Sequence, residues 1–197
     1  RTQIDWPAWP AGYVSCVAPN DHNGDEWMLT FSNDGVKSVW HTTDAGVNWT
    51  DISGNLEENA NGTGNGPACY WAAIYPSGNG DPARYFVGTS VGLFSTDLLD
   101  GTNTVWELEG PNLIGNVPIN SIALRTSDGV IVVGTHGNGV YSSHLTPIVG
   151  VQEASDGSAH HRFVRAGYEH VSAGGLSKIR PTLVTVVDVV EVRLGRS

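Results

Sequence analysis

Short stretches in which apolar and polar side chains alternate recur between residues 13 and 145, separated by glycine, asparagine and aspartate. Val39 and His41, for example, alternate with Trp40 and Thr42, which is typical of a half-buried strand. The pattern predicts strands at 13–18, 27–32, 38–43, 49–52, 69–75, 84–89, 92–96, 105–109, 120–125, 130–134 and 139–143. The sequence therefore predicts an all-β protein.

The segment between the strands at 38–43 and 49–52 has the chemistry of a tight turn. Gly46 can take a left-handed backbone because it has no Cβ atom to clash. The side-chain oxygens of Thr42 and Asp44 can accept the amide hydrogens that a turn leaves unpaired. Trp49 follows the turn, and its ring can cover the hairpin.

These four residues, Thr42, Asp44, Gly46 and Trp49, match every fixed position of the Asp-box, S/T-x-D-x-G-x-x-W. The chain therefore resembles the BNR and sortilin-like β-propellers. In that family the Asp-box joins the third and fourth strands of a blade, and it lies away from the face that binds ligand. The resemblance implies a structural role for the four residues and does not assign them to a ligand site.

Two internal repeats support this resemblance. The sequence WTDISGNL at 49–56 recurs as WELEGPNL at 106–113, with the same spacing from tryptophan to Asn-Leu. In addition, VGTSVGLFS at 87–95 recurs as VGTHGNGVYS at 133–142, which is one residue longer. Repeats with strand-like segments between turn signals are typical of four-stranded propeller blades.

The predicted fold is a partial β-propeller of about three four-stranded antiparallel blades, the last of them three-stranded, followed by an irregular C-terminal tail. Residues 1–12 are interpreted as the end of a preceding blade or a linker, 13–56 as the blade with the Asp-box, 57–113 as the second blade and 114–146 as the last, incomplete blade. About three blades are fewer than the four to eight that close a ring. We therefore expect a C-terminal fragment whose partner is the rest of its own propeller.

Residues 147–197 form a junction and a divergent tail. The segment TPIVGVQE at 146–153 resembles the junction that leads into a sorting domain of the type IX secretion system in secreted Bacteroidetes proteins. The usual Tyr-Pro-Asn-Pro-like opening of such a domain does not follow it. Two interpretations stay open: a small module with a β-branched strand at 182–194, or a segment that is translated out of frame.

Composition narrows the class of protein. With 25 glycines and only 15% charged residues, the chain suits a turn-rich, secreted or cell-surface protein. The formal net charge of −10 argues against nucleic acid as a partner, because phosphates would be repelled. No apolar run is long enough to predict a membrane span. Since the first residue is Arg1 and not Met, we expect a processed or truncated piece.

The two cysteines, Cys16 and Cys69, fall in separate predicted strands. Buried free thiols are favoured over a disulfide between them. The sequence has no spacing of cysteine and histidine that is typical of a metal site, so it predicts no metal and no cofactor.

Catalysis has little support in the sequence. Sialidases share the Asp-box and, by resemblance, would need three arginines to bind a substrate carboxylate. Only Arg1, Arg84 and Arg125 are available before residue 146, and solvated surface arginines are the favoured interpretation.

Xyloglucanase-like hydrolases, which also carry Asp-boxes, would need two carboxylates across a cleft. Asp44 belongs to the turn, whereas Glu57, Glu58 and Asp128 are predicted in loops. The sequence therefore predicts no catalytic residue.

Three residues are candidates for ligand contacts. His136 lies in GTHGNG at 134–139, which resembles the GTHGRG of the last blade in sortilin-like propellers. One interpretation places His136 at the mouth of the channel as a ligand contact. The favoured interpretation is a turn residue whose side chain bonds to backbone groups. Tyr70 and Trp71 could stack on a sugar, although packing between blades is favoured for Trp.

The predicted function is a non-catalytic propeller segment of a secreted or cell-surface protein that binds glycan or protein. The alternative is the C-terminal part of a propeller glycoside hydrolase, xyloglucanase-like rather than sialidase-like.

Overall fold

The computed structural model describes residues 3–76, 78, 82–145, 168–171 and 178–181. The first sheet contains β1 (Val14–Asn20), β2 (Asn23–Phe31), β3 (Val39–Thr42) and β4 (Thr50–Asp51). The second contains β5 (Cys69–Tyr75), β6 (Arg84–Thr89), β7 (Gly92–Thr96) and β8 (Glu107–Leu108). The third contains β9 (Ile119–Arg125), β10 (Val130–Thr135) and β11 (Val140–His144). Single-turn 3₁₀ helices lie at Gly54–Leu56 and Gly101–Asn103.

Each of the three sheets is an antiparallel meander in which strands pair in chain order. This confirms the predicted all-β architecture of two four-stranded sheets and one three-stranded sheet. In the tail, β12 (Tyr168–Val171) pairs with β13 (Lys178–Pro181), whereas the strand predicted at 182–194 lies outside the described residues. Among the residues described, no helix is long and apolar enough to cross a membrane.

The three sheets pack face to face in chain order. β1 contacts β5, and β5 contacts β9, so the first strands of the sheets lie side by side. The second and third sheets approach closely at Gly88, where a Cβ atom would lie 2.8 Å from Cγ2 of Ile119. Glycine is therefore required at this position by the distance between β6 and β9.

Two apolar cores fill the spaces between the sheets. The core between the first and second sheets includes Met28, Val39, Ile52, Val87 and Trp106. The core between the second and third sheets includes Phe86, Leu93, Ile119, Ile131 and Val133. Because β6 contributes Val87 to one core and Phe86 to the other, the second sheet buries both of its faces.

A third apolar cluster lies on the outer face of the first sheet and consists of Leu29, Phe31, Trp40 and Trp49. Residues 3–12 contain no strand, but their Trp6 and Trp9 pack against this cluster. The Trp9 ring lies 5.1 Å from the ring of Trp49, in an edge-on arrangement. Two tryptophans from residues 3–12 therefore cover the apolar outer face of the first sheet.

The repeated Asn-Leu motif joins the first sheet to the second. The side chain of Asn55 donates to the carbonyl of Trp106 at 3.0 Å and accepts from the backbone N–H of Trp106 at 2.6 Å. The indole Nε1 of Trp106 donates to the carbonyl of Ile52 at 2.8 Å. The asparagine of one repeat therefore holds the tryptophan of the next repeat. Asn112, the counterpart of Asn55, is exposed and has no such partner among the described residues.

Replacing Asn55 should test this connection. Asn55→Ala removes both bonds to a buried tryptophan, so we expect the free energy of unfolding to fall by about 1–3 kcal/mol. Asn112→Ala, the matched change in the second repeat, should stay within about 0.5 kcal/mol of the wild type. Urea denaturation followed by tryptophan fluorescence measures both values. Equal losses in the two variants would contradict the role assigned to Asn55.

Candidate ligand-binding sites

The turn between β3 and β4 is held by the side chain of Thr42. Its Oγ1 accepts from the backbone N–H of Asp44 at 3.3 Å and of Gly46 at 3.1 Å, and it donates to Oδ1 of Asp44 at 2.8 Å. Gly46 has a φ of +85°, as expected from a glycine in this turn. Ala45 also has a positive φ, +56°, and its N–H donates to the carbonyl of Asp25 at 2.9 Å.

Both carboxylate oxygens of Asp44 accept hydrogen bonds within the turn. Oδ1 accepts from the backbone N–H of Asn48 at 2.8 Å, and Oδ2 accepts from Nδ2 of Asn48 at 2.7 Å. These bonds, together with the one from Thr42, lower the pKa of Asp44. Trp49 closes the turn by donating from Nε1 to the carbonyl of Gly46 at 3.1 Å.

A buried polar cluster lies beside this turn, between the first and second sheets. Its centre is Glu26, whose residue is 8% exposed. Oε1 of Glu26 accepts from the hydroxyl of Tyr85 at 2.9 Å and lies 2.9 Å from Nε2 of His41. Oε2 accepts from Nδ2 of Asn20 at 2.6 Å. One carboxylate therefore joins side chains from β1, β2, β3 and β6.

Hydrogen bonds fix the charge of this cluster. The pKa of Glu26 is lowered, mainly by the hydrogen bond from His41, with smaller contributions from Asn20 and Tyr85; burial opposes the shift. Burial, with the neighbouring carboxylate, raises the pKa of the Tyr85 phenol. Glu26 is therefore ionised and Tyr85 protonated at neutral pH. Because an ionised carboxylate can only accept a hydrogen bond, Nε2 of His41 carries a proton and donates it to Glu26.

His41 connects the buried cluster with a surface groove. Its side chain is 12% exposed and lines a groove of about 300 Å³. The groove lies between the β3–β4 turn and the connection from β7 to β8, and it is also lined by Thr42, Thr43, Asp44, Asn48, Thr50, Ile52, Leu99 and Gly101. Neither the cluster nor the groove was predicted from the sequence. One signal was available: Glu26 stands two positions before Met28, on the strand face that becomes buried.

The candidate contacts predicted from the sequence lie at the opposite end of the sheets. Tyr70 and Trp71 stand at the start of β5, and His136 follows β10. Trp71 packs against the core between the second and third sheets. The N–H of His136 donates to the carbonyl of Pro118 at 2.8 Å, and its Nδ1 lies 3.4 Å from Nδ2 of Asn120. These residues are therefore separate from the groove.

The loop carboxylates considered for hydrolysis have protein partners. Glu57 accepts from the N–H and the hydroxyl of Ser38 at 3.0 and 2.6 Å. Glu58 accepts from the N–H of Asn65 at 2.6 Å. Asp128 forms a two-bond ion pair with Arg125, at 2.7 and 2.8 Å. Each of these carboxylates therefore holds a loop or a turn in place.

The two thiols, Cys16 and Cys69, are free. Burial raises the pKa of both, which keeps them protonated and unreactive. Within the described part of the chain, no group of three or more histidine, cysteine, aspartate or glutamate side chains is arranged to hold a metal ion.

Comparison with known proteins found likenesses among solved structures. No family model matches the sequence, and no curated protein matches it. Among solved structures, the chain is similar to the crystal structure of a GH74 enzyme from Niastella koreensis, with a TM-score of 0.47 and 17% sequence identity. The likeness covers 66% of this chain and 19% of that enzyme.

Loss of the Thr42 hydroxyl should lower the free energy of unfolding more than loss of the Thr43 hydroxyl. Thr42→Val keeps the shape of a buried side chain but leaves the N–H groups of Asp44 and Gly46 without their acceptor, so we expect a loss of about 1–3 kcal/mol in the free energy of unfolding. Thr43→Val, at an exposed position without a hydrogen bond among the described residues, is the matched control. A loss in Thr43→Val as large as that in Thr42→Val would contradict this role.

Glu26 should make stability depend on acid pH. Because folding lowers its pKa, the unfolded chain binds the proton more readily, and stability should fall as the pH drops below the ordinary value of 4.5 through the lowered value. Urea midpoints of the wild type and of Glu26→Gln, measured between about pH 7 and pH 3, test this. The variant should lose less stability over this range, with Glu58→Gln as the charge-matched control. Parallel curves for wild type and Glu26→Gln would disprove the contribution.

Proposed function

We propose that this chain is a non-catalytic propeller segment of a secreted or cell-surface protein, and that it binds glycan. One observation carries the proposal: a small polar recess lies beside two carboxylates that are both committed to the protein. Asp44 uses both oxygens within its own turn, and Glu26 is bound by three side chains. A glycosidase needs carboxyl groups that are free to protonate the leaving oxygen and to attack or activate water. The recess therefore suits binding better than hydrolysis.

The size and lining of the recess favour glycan over protein as the ligand. A groove of about 300 Å³ is at the lower end of the range of small-molecule sites, about 300–1,000 Å³. Protein partners usually require a broad surface with an apolar centre. Hydroxyl and amide groups around a small recess instead match a sugar unit, whose own hydroxyls both donate and accept hydrogen bonds.

The second proposed partner is the rest of the same propeller. The outer face of the third sheet carries Val140, which is 55% exposed, and the half-buried Val132. Among the described strands, β11 has no neighbour on its outer edge. Unpaired edges and exposed apolar faces are normally covered in soluble proteins. Further blades would cover both features and would supply a partner for Asn112. On this proposal the four Asp-box residues, Thr42, Asp44, Gly46 and Trp49, are structural.

Affinity electrophoresis of the full 197-residue chain tests the glycan proposal. Gels would contain xyloglucan, mixed-linkage β-glucan, galactomannan or, as an acidic comparison, polygalacturonate. We expect at least one neutral polysaccharide to slow migration, with no release of reducing ends on prolonged incubation. Release of reducing ends would assign the chain to the hydrolases. Unchanged migration in every gel would refute glycan binding.

A further inference from the structure

The floor and walls of the groove differ in polarity. The floor contains Ile52, which is buried, and Leu99. The walls contain the exposed threonines Thr43 and Thr50, whose hydroxyls have no partner among the described residues. A pyranose ring has an apolar face of C–H groups and a rim of hydroxyls. The groove therefore matches one sugar unit in both size and distribution of polarity.

His41 presents an oriented ring to the groove, which its side chain lines. Its Nε2 faces Glu26, and its Nδ1 has no hydrogen-bond partner among the described residues. Glu26 is itself fixed by Asn20 and Tyr85. The ring is therefore held in place before a ligand arrives, which reduces the entropy lost on binding.

Asn48 offers an acceptor on the wall of the same groove. Its Nδ2 donates to Asp44, and this bond fixes the amide. The amide oxygen has no partner in the described part of the chain. Both oxygens of Asp44 accept hydrogen bonds within the turn. The oriented side chains of His41 and Asn48 and two free hydroxyls thus surround the recess.

The charges around the groove select against anionic ligands. Asp44 lines the groove, Glu26 lies directly behind His41, and no lysine or arginine is among the lining residues. The whole chain carries a formal net charge of −10. Uronate, sulfate or phosphate groups would therefore be repelled, whereas a neutral sugar would not.

We propose that this groove, at the end of the sheets marked by the β3–β4 turn, binds one neutral sugar unit of the glycan, with Nδ1 of His41 and the amide oxygen of Asn48 hydrogen-bonded to its hydroxyls. The proposal rests on the glycan-binding function above and assigns it a location. It places the ligand away from Tyr70, Trp71 and His136, which lie at the other end of the sheets.

A substitution that fills the groove tests the location. Thr43→Trp places a large ring at an exposed groove position, and Val47→Trp places the same ring on the same turn outside the lining, at a residue that is 69% exposed. In gels with the neutral polysaccharide that slows the wild type, we expect Thr43→Trp to weaken binding at least about ten-fold, which corresponds to about 1.4 kcal/mol. Val47→Trp, His136→Ala and Tyr70→Ala should bind as the wild type does.

Imidazole nitrogen NMR of the wild type gives a second, independent measurement. Soluble oligosaccharides of the same polysaccharide should shift the Nδ1 signal of His41 and leave the signals of His136 unchanged.

If Thr43→Trp does not fold, this titration alone decides: an unshifted Nδ1 of His41 overturns the proposal. If Thr43→Trp binds normally while His136→Ala or Tyr70→Ala does not, the glycan site lies at the other end and the groove is excluded. If the wild type binds none of the polysaccharides, the proposed function fails and the groove assignment fails with it.

Discussion

Burial of both faces of the first and second sheets is the constraint on which this structure depends. In β2, Met28 faces the second sheet while Leu29 and Phe31 face the other side, so consecutive residues enter different cores. The first sheet therefore needs a cover on each face, and Trp6 and Trp9 supply the outer one. Because apolar burial is the main favourable term in folding, removing either neighbour exposes a complete apolar face. Each sheet therefore depends on the packing of its neighbours for its stability.

The buried carboxylate of Glu26 is the exception to this apolar packing. A carboxylate between two sheets costs desolvation energy unless it is paired and hydrogen-bonded. Here three donors from β1, β3 and β6 compensate for that cost. The same arrangement orients His41 toward the groove. Buried charged residues that interrupt apolar packing and keep all their hydrogen bonds are often functional.

Much of the fold followed from local sequence signals, whereas the groove did not. Alternation and glycine-rich turns located the strands, but β4 and β8 are only two residues long, and Trp49 and Trp106 just before them are buried in apolar clusters. Tyr85 meets Glu26 across 59 residues, and the groove is shared by two sheets. Such a site depends on which sheet faces meet, and periodicity within one strand does not contain that information.

The bond between Asn55 and Trp106 gives the chain a direction of assembly. These residues are 51 positions apart, so the corner of the first sheet stays open until β8 has left the ribosome. During synthesis the first sheet is thus completed by the second, which is made after it. The last contact of the first sheet therefore depends on a segment that lies outside that sheet.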